Sequence, residues 1–275
     1  MPLKTLGLIA GMGELPRSLA SEARKMGYRV IVIALRPLAD RSLKACADEF
    51  CEVSVGHLGG LIKSLKRFAL RDVVMAGKVP KSLLYNKGNI IPDLRALRLL
   101  FSLKDHSDDS IMLGITRELE KEGIRLLKTI TFLKELLTPK GVLTKRRPEE
   151  GQWKDIEFGL RIAKGIGRLD IGQTVVVKDL SVMAVEAIEG TDEAILRGGT
   201  LAGAGAVVIK VSKPGQDMRF DVPAVGIDTL HVMKKVHACV LALEAERSII
   251  IDKERFIEEA DNLDIAVVGI HTDKF

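Results

Sequence analysis

The chain has 275 residues, 47% of them hydrophobic and 29% charged, a balance that belongs to folded globular proteins and excludes a disordered chain. Its formal net charge of +5 permits contact with phosphates or an anionic membrane surface without demanding nucleic acid, and aromatic residues at 4% provide no basic, aromatic-studded strand on which bases could stack. No apolar run approaches the roughly 18 residues needed to cross a bilayer, and three cysteines, an odd count that reads as reduced and buried, make the cytoplasm the expected compartment.

In chain order, the first 135 residues alternate strand-like and helix-like patterns. Leu6–Ala10 is a short apolar run and reads as a first strand rather than a secretory leader. Leu15, Leu19, Ala23 and Met26 recur at helical spacing and stop at Gly27. Val30–Leu35 is a buried strand, Leu58–Leu70 a helix and Val73–Gly77 another strand. Asp93–Lys104 and Asp108–Glu122 are helical, and Ile124–Leu127 is extended again. This order predicts an α/β fold whose N-terminal domain, residues 1–137, is Rossmann-like with a parallel sheet.

The turn after the first strand, Gly11-Met12-Gly13-Glu14-Leu15-Pro16, carries part of a dinucleotide fingerprint. Its glycines let a backbone approach an anion at a helix N-terminus, but Pro16 stands where the third glycine belongs and no ribose-binding acid follows the second strand. A nucleotide diphosphate fits this turn better than NAD, with tight turn packing as the plain alternative. Gly77-Lys78, after a later strand, would face the same crevice, because ligands sit outside the carboxyl ends of parallel strands. Leu94, Leu97, Leu99, Leu100, Phe101 and Leu103 are interleaved with Arg95, Arg98 and Lys104, which is either a core face or a stripe that touches lipid.

Residues 138–150 hold two prolines and a charge run and read as a linker. A C-terminal α/β domain with a mixed sheet follows, over 151–275. It opens on a helix from Gln152 to Ala163, with Gly165–Gln173 as a turn into the strand Thr174–Val177, and a hairpin at Lys178-Asp179. Asp192–Arg197 reads as a short helix capped by Thr191 and stopped by Gly198-Gly199. A helix near Asp228–His237, strands at Cys239–Leu243 and Ser248–Ile251, a helix at Lys253–Asn262 and a strand at Ile265–Ile270 complete the chain.

Two loops of this half concentrate chemistry. Val185–Asp192 and Lys213–Pro223 are dense in carboxylates, amides and cations, and each follows an apolar strand-like run. Lys210, Lys213 and Arg219 stand beside Asp217 and Asp221, a mixture suited to a phosphate-bearing substrate with a divalent metal. A P-loop, a His-Glu-x-x-His helix and a Gly-x-Ser-x-Gly elbow are all absent. The five histidines show no metal-ligand spacing, and Cys46 and Cys51 lack a second pair. Carboxylates are then the candidate metal ligands, which favours Mg²⁺ or Mn²⁺ over zinc.

Four motifs, in order, carry a family resemblance: Leu8-Ile9-Ala10-Gly11-x-Gly13-x-Leu15-Pro16, Gly167–Gln173, Ala184-Val185-Glu186-Ala187-x-Glu189-Gly190-Thr191-Asp192, and Lys213-Pro214-x-Gln216 continuing to Asp221-x-Pro223-x-x-Gly226. Together they resemble the LpxI-type UDP-2,3-diacylglucosamine pyrophosphatases of lipid A synthesis. The resemblance implies a cytoplasmic, divalent-metal-dependent hydrolase of Gram-negative bacteria, with two domains holding the lipid nucleotide. It matches Asp221 to the family's essential acid. On this reading Asp221, Glu186 and Lys213 carry catalysis, and Asp221 with Asp192 hold Mg²⁺ or Mn²⁺. Gly11, Gly13, Leu15, Pro16, Gly77, Lys78, Gln173, Thr191, Asp192, Lys210 and Gln216 contact the substrate. Peripheral contact with the inner membrane and a homo-oligomer are left open. The alternatives are a non-catalytic nucleotide- or lipid-binding module and an NADP-linked reductase using Arg36.

Overall fold

In the first half of the chain, branched apolar runs make β1 (Thr5–Ala10), β2 (Arg29–Arg36) and β4 (Asp72–Ala76), and two less apolar stretches make β3 (Glu49–Ser54) and β5 (Arg125–Leu126). In the computed structural model, which describes residues 4–80, 91–105, 107–219 and 222–271, they form one sheet in the order β3-β2-β1-β4-β5. Every neighbouring pair is parallel. Among the described residues, helices α1 (Leu15–Lys25), α2 (Leu58–Arg67), α3 (Leu94–Ser102) and α4 (Asp108–Lys121) lie between the strands in sequence. β1 beyond Thr5 and the middle of β2 are buried, as expected of parallel strands covered on both faces. β3, which the sequence pattern does not announce, is an edge strand with only Val53 buried. Half-exposed edges need little apolar content, so hydrophobic periodicity misses them.

The second half builds a mixed sheet from β6 (Gly141–Val142), β7 (Thr174–Lys178), β8 (Ser181–Val185), β9 (Val207–Lys210), β11 (Val240–Glu244) and β13 (Ala266–Ile270). Its order is β6-β13-β11-β9-β7-β8. β9, β11 and β13 run parallel, while β7 and β8 are antiparallel additions at one edge and β6 at the other. β10 (Ala224–Val225) pairs separately with β12 (Ile249–Ile250). Helices α5 (Glu150–Arg168), α6 (Thr191–Ala202), α7 (Ile227–Lys235) and α8 (Lys253–Asn262) complete the half. Ile156, Leu160 and Ala163 of α5 cluster with Val175, Val177 and Ile209. Val176, Val208 and Leu241 join instead a cluster with Ile195, Leu230 and Phe256. This alternation is the two-residue period of a strand covered on both sides.

The chain divides into two units: Met1–Leu133 with Met218–Asp221, and Lys134–Asp217 with Val222–Phe275. Residues 138–150, read from composition as a joining segment, contribute β6 to the edge of the second sheet, and Thr138 Oγ1 lies 2.9 Å from Ser248 Oγ in the interior. Among the described residues no helix is long and apolar enough to cross a membrane.

Two glycine-bearing stretches expected to end helices do not. α5 continues past Ala163 through Gly165 and Gly167 to Arg168, and α6 runs through Gly198 and Gly199 to Ala202. A Cβ on Gly198 would come within 2.6 Å of Val176 Cβ, and one on Gly199 within 2.2 Å of Val236 Cγ2. These glycines let α6 approach its neighbours closely, which offsets the roughly 1 kcal/mol that a helical glycine costs. α6 ends at Gly203 instead, in a positive-φ conformation of +68°. The hairpin expected at Lys178-Asp179 turns on Asp179 and Leu180, both at positive φ, the handedness that matches strand twist. The buried Asp155 carboxylate accepts both of their amide hydrogens, at 3.1 and 2.7 Å.

Candidate active site

In the first unit, β1 lies between β2 and β4, so the strand order reverses there and the loops after β1 and β4 leave the sheet side by side. Gly11, Gly13, Leu15 and Pro16 occupy the first loop and the start of α1; Gly77 and Lys78 occupy the second. The loops are bonded to each other: Met12 N donates to Lys78 O at 2.9 Å, and Lys78 N to Met12 O at 2.8 Å. A Cβ on Gly11 would sit 2.7 Å from Lys78 O, and one on Gly77 2.7 Å from Gly11 C. The missing side chains at Gly11 and Gly77 therefore serve this loop-to-loop approach. Gly13, at φ +100°, has open space where a Cβ would be, and Pro16 is buried in the first turn of α1, where its absent N–H is no loss.

In the second unit, sequence register brings Glu186, Thr174 and Lys210 into one row. Thr174 on β7 pairs with Lys210 on β9. Val175 pairs with Val185, so Glu186 stands opposite Thr174, and its N–H donates to Thr174 O at 2.8 Å. Side chains so opposed share a face of the sheet. Thr191, at the start of α6, closes the group: its hydroxyl donates to Glu186 Oε1 at 3.0 Å and accepts from Lys210 Nζ at 2.9 Å. Lys210 Nζ also donates to Ala224 O at 3.1 Å. Glu186, Thr191 and Lys210 are all buried.

Thr191 is therefore not the N-cap expected from sequence. Gly190 holds that position, no side chain caps the helix, and the Thr191 hydroxyl bridges a buried acid and a buried cation. An uncapped helix start of this kind presents N–H groups suited to an anion. Glu186 Oε2, Thr174 Oγ1 and Gln173 Oε1 are buried without a hydrogen-bond partner among the described residues. Leaving a buried acceptor unmet costs about 1–3 kcal/mol, more for a charged group, so this corner is built to receive donors. Asp192 is exposed next to Thr191, and its Oδ1 accepts from Thr229 Oγ1 at 3.2 Å. On the same loop, the Arg197 guanidinium bonds Glu189 at 2.6 Å and holds its carboxyl below the usual carboxylate range.

Lys213 and Gln216 face each other across a turn: Lys213 N donates to Gln216 Oε1 at 2.8 Å, and Gln216 N to Lys213 O at 3.1 Å. The Lys213 ammonium reaches Asp170 Oδ1 at 2.6 Å. Asp221, matched to the family's essential acid, lies outside the described residues. Among the described residues no group of three or more His, Cys, Asp or Glu is placed to hold a metal ion. The donors at hand are the exposed Asp192 and the open oxygen of Glu186. Mg²⁺ characteristically takes one or two carboxylates and completes its shell with water and substrate phosphates, and these two carboxylates alone make no closed protein cage for it.

Sequence reasoning missed Lys164 and Glu244, a buried ion pair beside this turn. Neither stands in a motif: Lys164 is one of several charges along α5, and Glu244 ends the apolar run of β11 just before two more charges.

Residues 5–136 match the model of the LpxI N-terminal domain, and residues 139–268 that of the LpxI C-terminal domain. The UDP-2,3-diacylglucosamine pyrophosphatase LpxI of Caulobacter vibrioides is 35% identical over 279 residues, covering 98% of each chain. Solved structures resemble the chain only faintly. An N5-carboxyaminoimidazole ribonucleotide synthetase in complex with ADP is 18% identical over 64% of this chain, at a TM-score of 0.29. The biotin carboxylase domain of a Hydrogenobacter thermophilus 2-oxoglutarate carboxylase is 14% identical over 74%, at 0.28. This chain spans 32% and 42% of those two proteins, and likenesses so slight carry no argument. With both domain models matched in order and a relative aligned end to end, the chain belongs to the LpxI family.

Proposed function

We propose that this chain hydrolyses the pyrophosphate bond of UDP-2,3-diacylglucosamine, releasing UMP and 2,3-diacylglucosamine 1-phosphate (lipid X) in lipid A biosynthesis. The near full-length relationship to a pyrophosphatase of that name carries the reading. The cluster of Glu186, Thr191 and Lys210 supports it.

A pyrophosphate resists attack because its oxygens are anionic. Fixed cations and N–H donors that neutralise this charge in a desolvated site lower the barrier. Lys210, Lys213 and Gln216 bind the phosphates, with the uncapped start of α6 adding N–H groups. Gln173 and Thr191 orient the nucleotide. The attacking water loses a proton to a carboxylate as its oxygen bonds to phosphorus and the bridging P–O bond breaks. Asp221 orients this water, and Glu186, whose Oε2 is open to a donor, is the second acid. Asp221 and Asp192 would hold Mg²⁺ or Mn²⁺, which when bound neutralises charge on the leaving phosphate.

A cytoplasmic enzyme acting on a lipid would meet the inner membrane from one side. On α3, Leu99 packs inward near Gly114, while Leu94 and Phe101 are exposed, Phe101 at 86%. We assign peripheral membrane contact to this outward row, which includes Leu97 between them, with Ile91 just ahead of the helix.

The test is incubation of purified protein with UDP-2,3-diacylglucosamine and Mg²⁺ or Mn²⁺, with and without EDTA. UMP release that stops on chelation is expected. Release indifferent to EDTA removes the metal, and no release with either cation removes the activity. Asp221→Ala should bind the lipid nucleotide yet lose at least about 10³-fold in kcat, a barrier change of roughly 4 kcal/mol; turnover within about tenfold of wild type would take Asp221 out of the mechanism.

A further inference from the structure

Lys164 on α5 and Glu244 at the end of β11 meet in the interior of the second unit. The Lys164 ammonium lies 2.7 Å from both carboxylate oxygens, with the two side chains 10% and 1% exposed. Burying an ion pair carries a desolvation penalty, and apolar replacement of both partners is often neutral or stabilising. Packing alone therefore gives no reason for these two charges.

What the pair holds is Ser212. Lys164 Nζ donates to Ser212 O at 3.0 Å, and Glu244 Oε2 accepts from both Ser212 N and Ser212 Oγ at 2.7 Å. Every polar group of that one residue is thereby tied to the ion pair. Ser212 is the root of the turn Lys213-Pro214-Gly215-Gln216, whose Gly215 sits at φ +79°. The end of α5 supports the same turn twice more. A Cβ on Gly167 would come 3.2 Å from Pro214 Cδ, and Asp170, just past the helix, accepts from the Lys213 ammonium.

We propose that Lys164 and Glu244 are positioning residues of this enzyme: their ion pair fixes Ser212 and so sets the place and direction from which Lys213 and Gln216 meet the substrate's phosphates. The proposal rests on the reading above that this turn contacts the pyrophosphate. Neither residue touches substrate; they act through the main chain of Ser212. A lysine anchored at its backbone loses less freedom when it captures a phosphate, so binding weakens when the anchor is cut.

The experiment is the double variant Lys164→Met/Glu244→Leu, which removes both charges together and leaves neither stranded. It is assayed for UMP release beside Lys213→Met, with melting temperature and hydrogen exchange at the Ser212 amide recorded for each. The double variant is expected to melt close to wild type, to exchange the Ser212 amide at least about tenfold faster and to raise KM for the lipid nucleotide at least about tenfold. Wild-type KM and kcat in a folded double variant, with Lys213→Met impaired, would overturn the positioning role. Wild-type kinetics in Lys213→Met would overturn the assignment of the turn, and this proposal with it. If the double variant does not fold, Ser212→Ala decides: it removes the hydroxyl bond alone, a KM raised about threefold supports the anchor, and unchanged kinetics refute it.

Discussion

Glu186 shows how a single buried acid can be split between structure and chemistry. One oxygen is fixed by the Thr191 hydroxyl at 3.0 Å; the other has no partner among the described residues. Glu186→Gln keeps the shape and leaves one acceptor for Thr191, but puts an N–H₂ donor where an acceptor stood. A donor-bearing ligand then meets a donor. Loss of a positioned acid or base typically costs about 10²–10⁴ in rate, so kcat should fall at least about 10²-fold while the melting temperature moves by only a few degrees. Turnover within about threefold of wild type would confine Glu186 to structure. Glu186 and Thr191 were legible in sequence because they lie in a dense polar loop after an apolar run, and Lys210 because it is the cation of the apolar run that leads into the other loop. The role of Thr191 was not, since a threonine before an acidic helix start reads as a cap, and only the register of β7 with β8 and β9 places its hydroxyl between two charges.

At the scale of elements, Asp93 joins two helix starts. Its Oδ1 accepts from Ala96 N at 2.9 Å at the beginning of α3, and its Oδ2 from Gly59 N at 2.7 Å and Gly60 N at 3.2 Å at the beginning of α2. Burial pushes this carboxyl up, but the three backbone N–H donors outweigh it, together with the charge of His57, and hold it below its ordinary value. A carboxyl depressed by folding stabilises the protein above its unfolded pKa of about 3.9, and that contribution is lost as the pH falls through the folded value. Asp93→Ala should cost about 1–2 kcal/mol near neutral pH, with the gap to wild type closing as the pH falls below about 4; a gap constant from pH 7 to pH 3 would show that the charge plays no part. The cap on α3 could be read from Asp93 standing before an apolar stripe. Its service to α2, 34 positions back, could not, because helix starts without Ser, Thr, Asp or Asn give no local sign of where their acceptor comes from. Gly198 and Gly199 misled for a related reason: glycine marks both helix ends and close packing, and only the neighbours tell which.

For the whole molecule, alternation of strands and helices was enough to foresee two α/β halves, the first with a parallel sheet and the second mixed. The discontinuity of the first unit was not foreseeable. Met218 and Arg219 join it through main-chain acceptors: Thr129 N donates to Met218 O at 3.2 Å and Thr129 Oγ1 to Arg219 O at 2.9 Å. Carbonyl groups are common to every residue and leave no trace in side-chain pattern. Ligand linkage tests the molecule as a unit. A nucleotide held at about a hundred times its Kd adds roughly 2.7 kcal/mol to the state that binds it, a rise of several degrees for a domain of this size. UMP should raise the melting temperature and NADP should leave it unchanged; stabilisation by NADP alone would restore the reductase alternative.

The late return of Met218 and Arg219 to the first unit also has a bearing on birth at the ribosome. Leu133 leaves the peptidyl-transferase centre roughly 90 residues before Asp221 does, an interval of about 5–18 s at ordinary rates of synthesis. Through that interval the Thr129 amide lacks the carbonyl of Met218, while its hydroxyl has Met75 O, 3.0 Å away, in place of the carbonyl of Arg219. The first unit's final closure is thus a post-emergence event, timed by translation of the second unit.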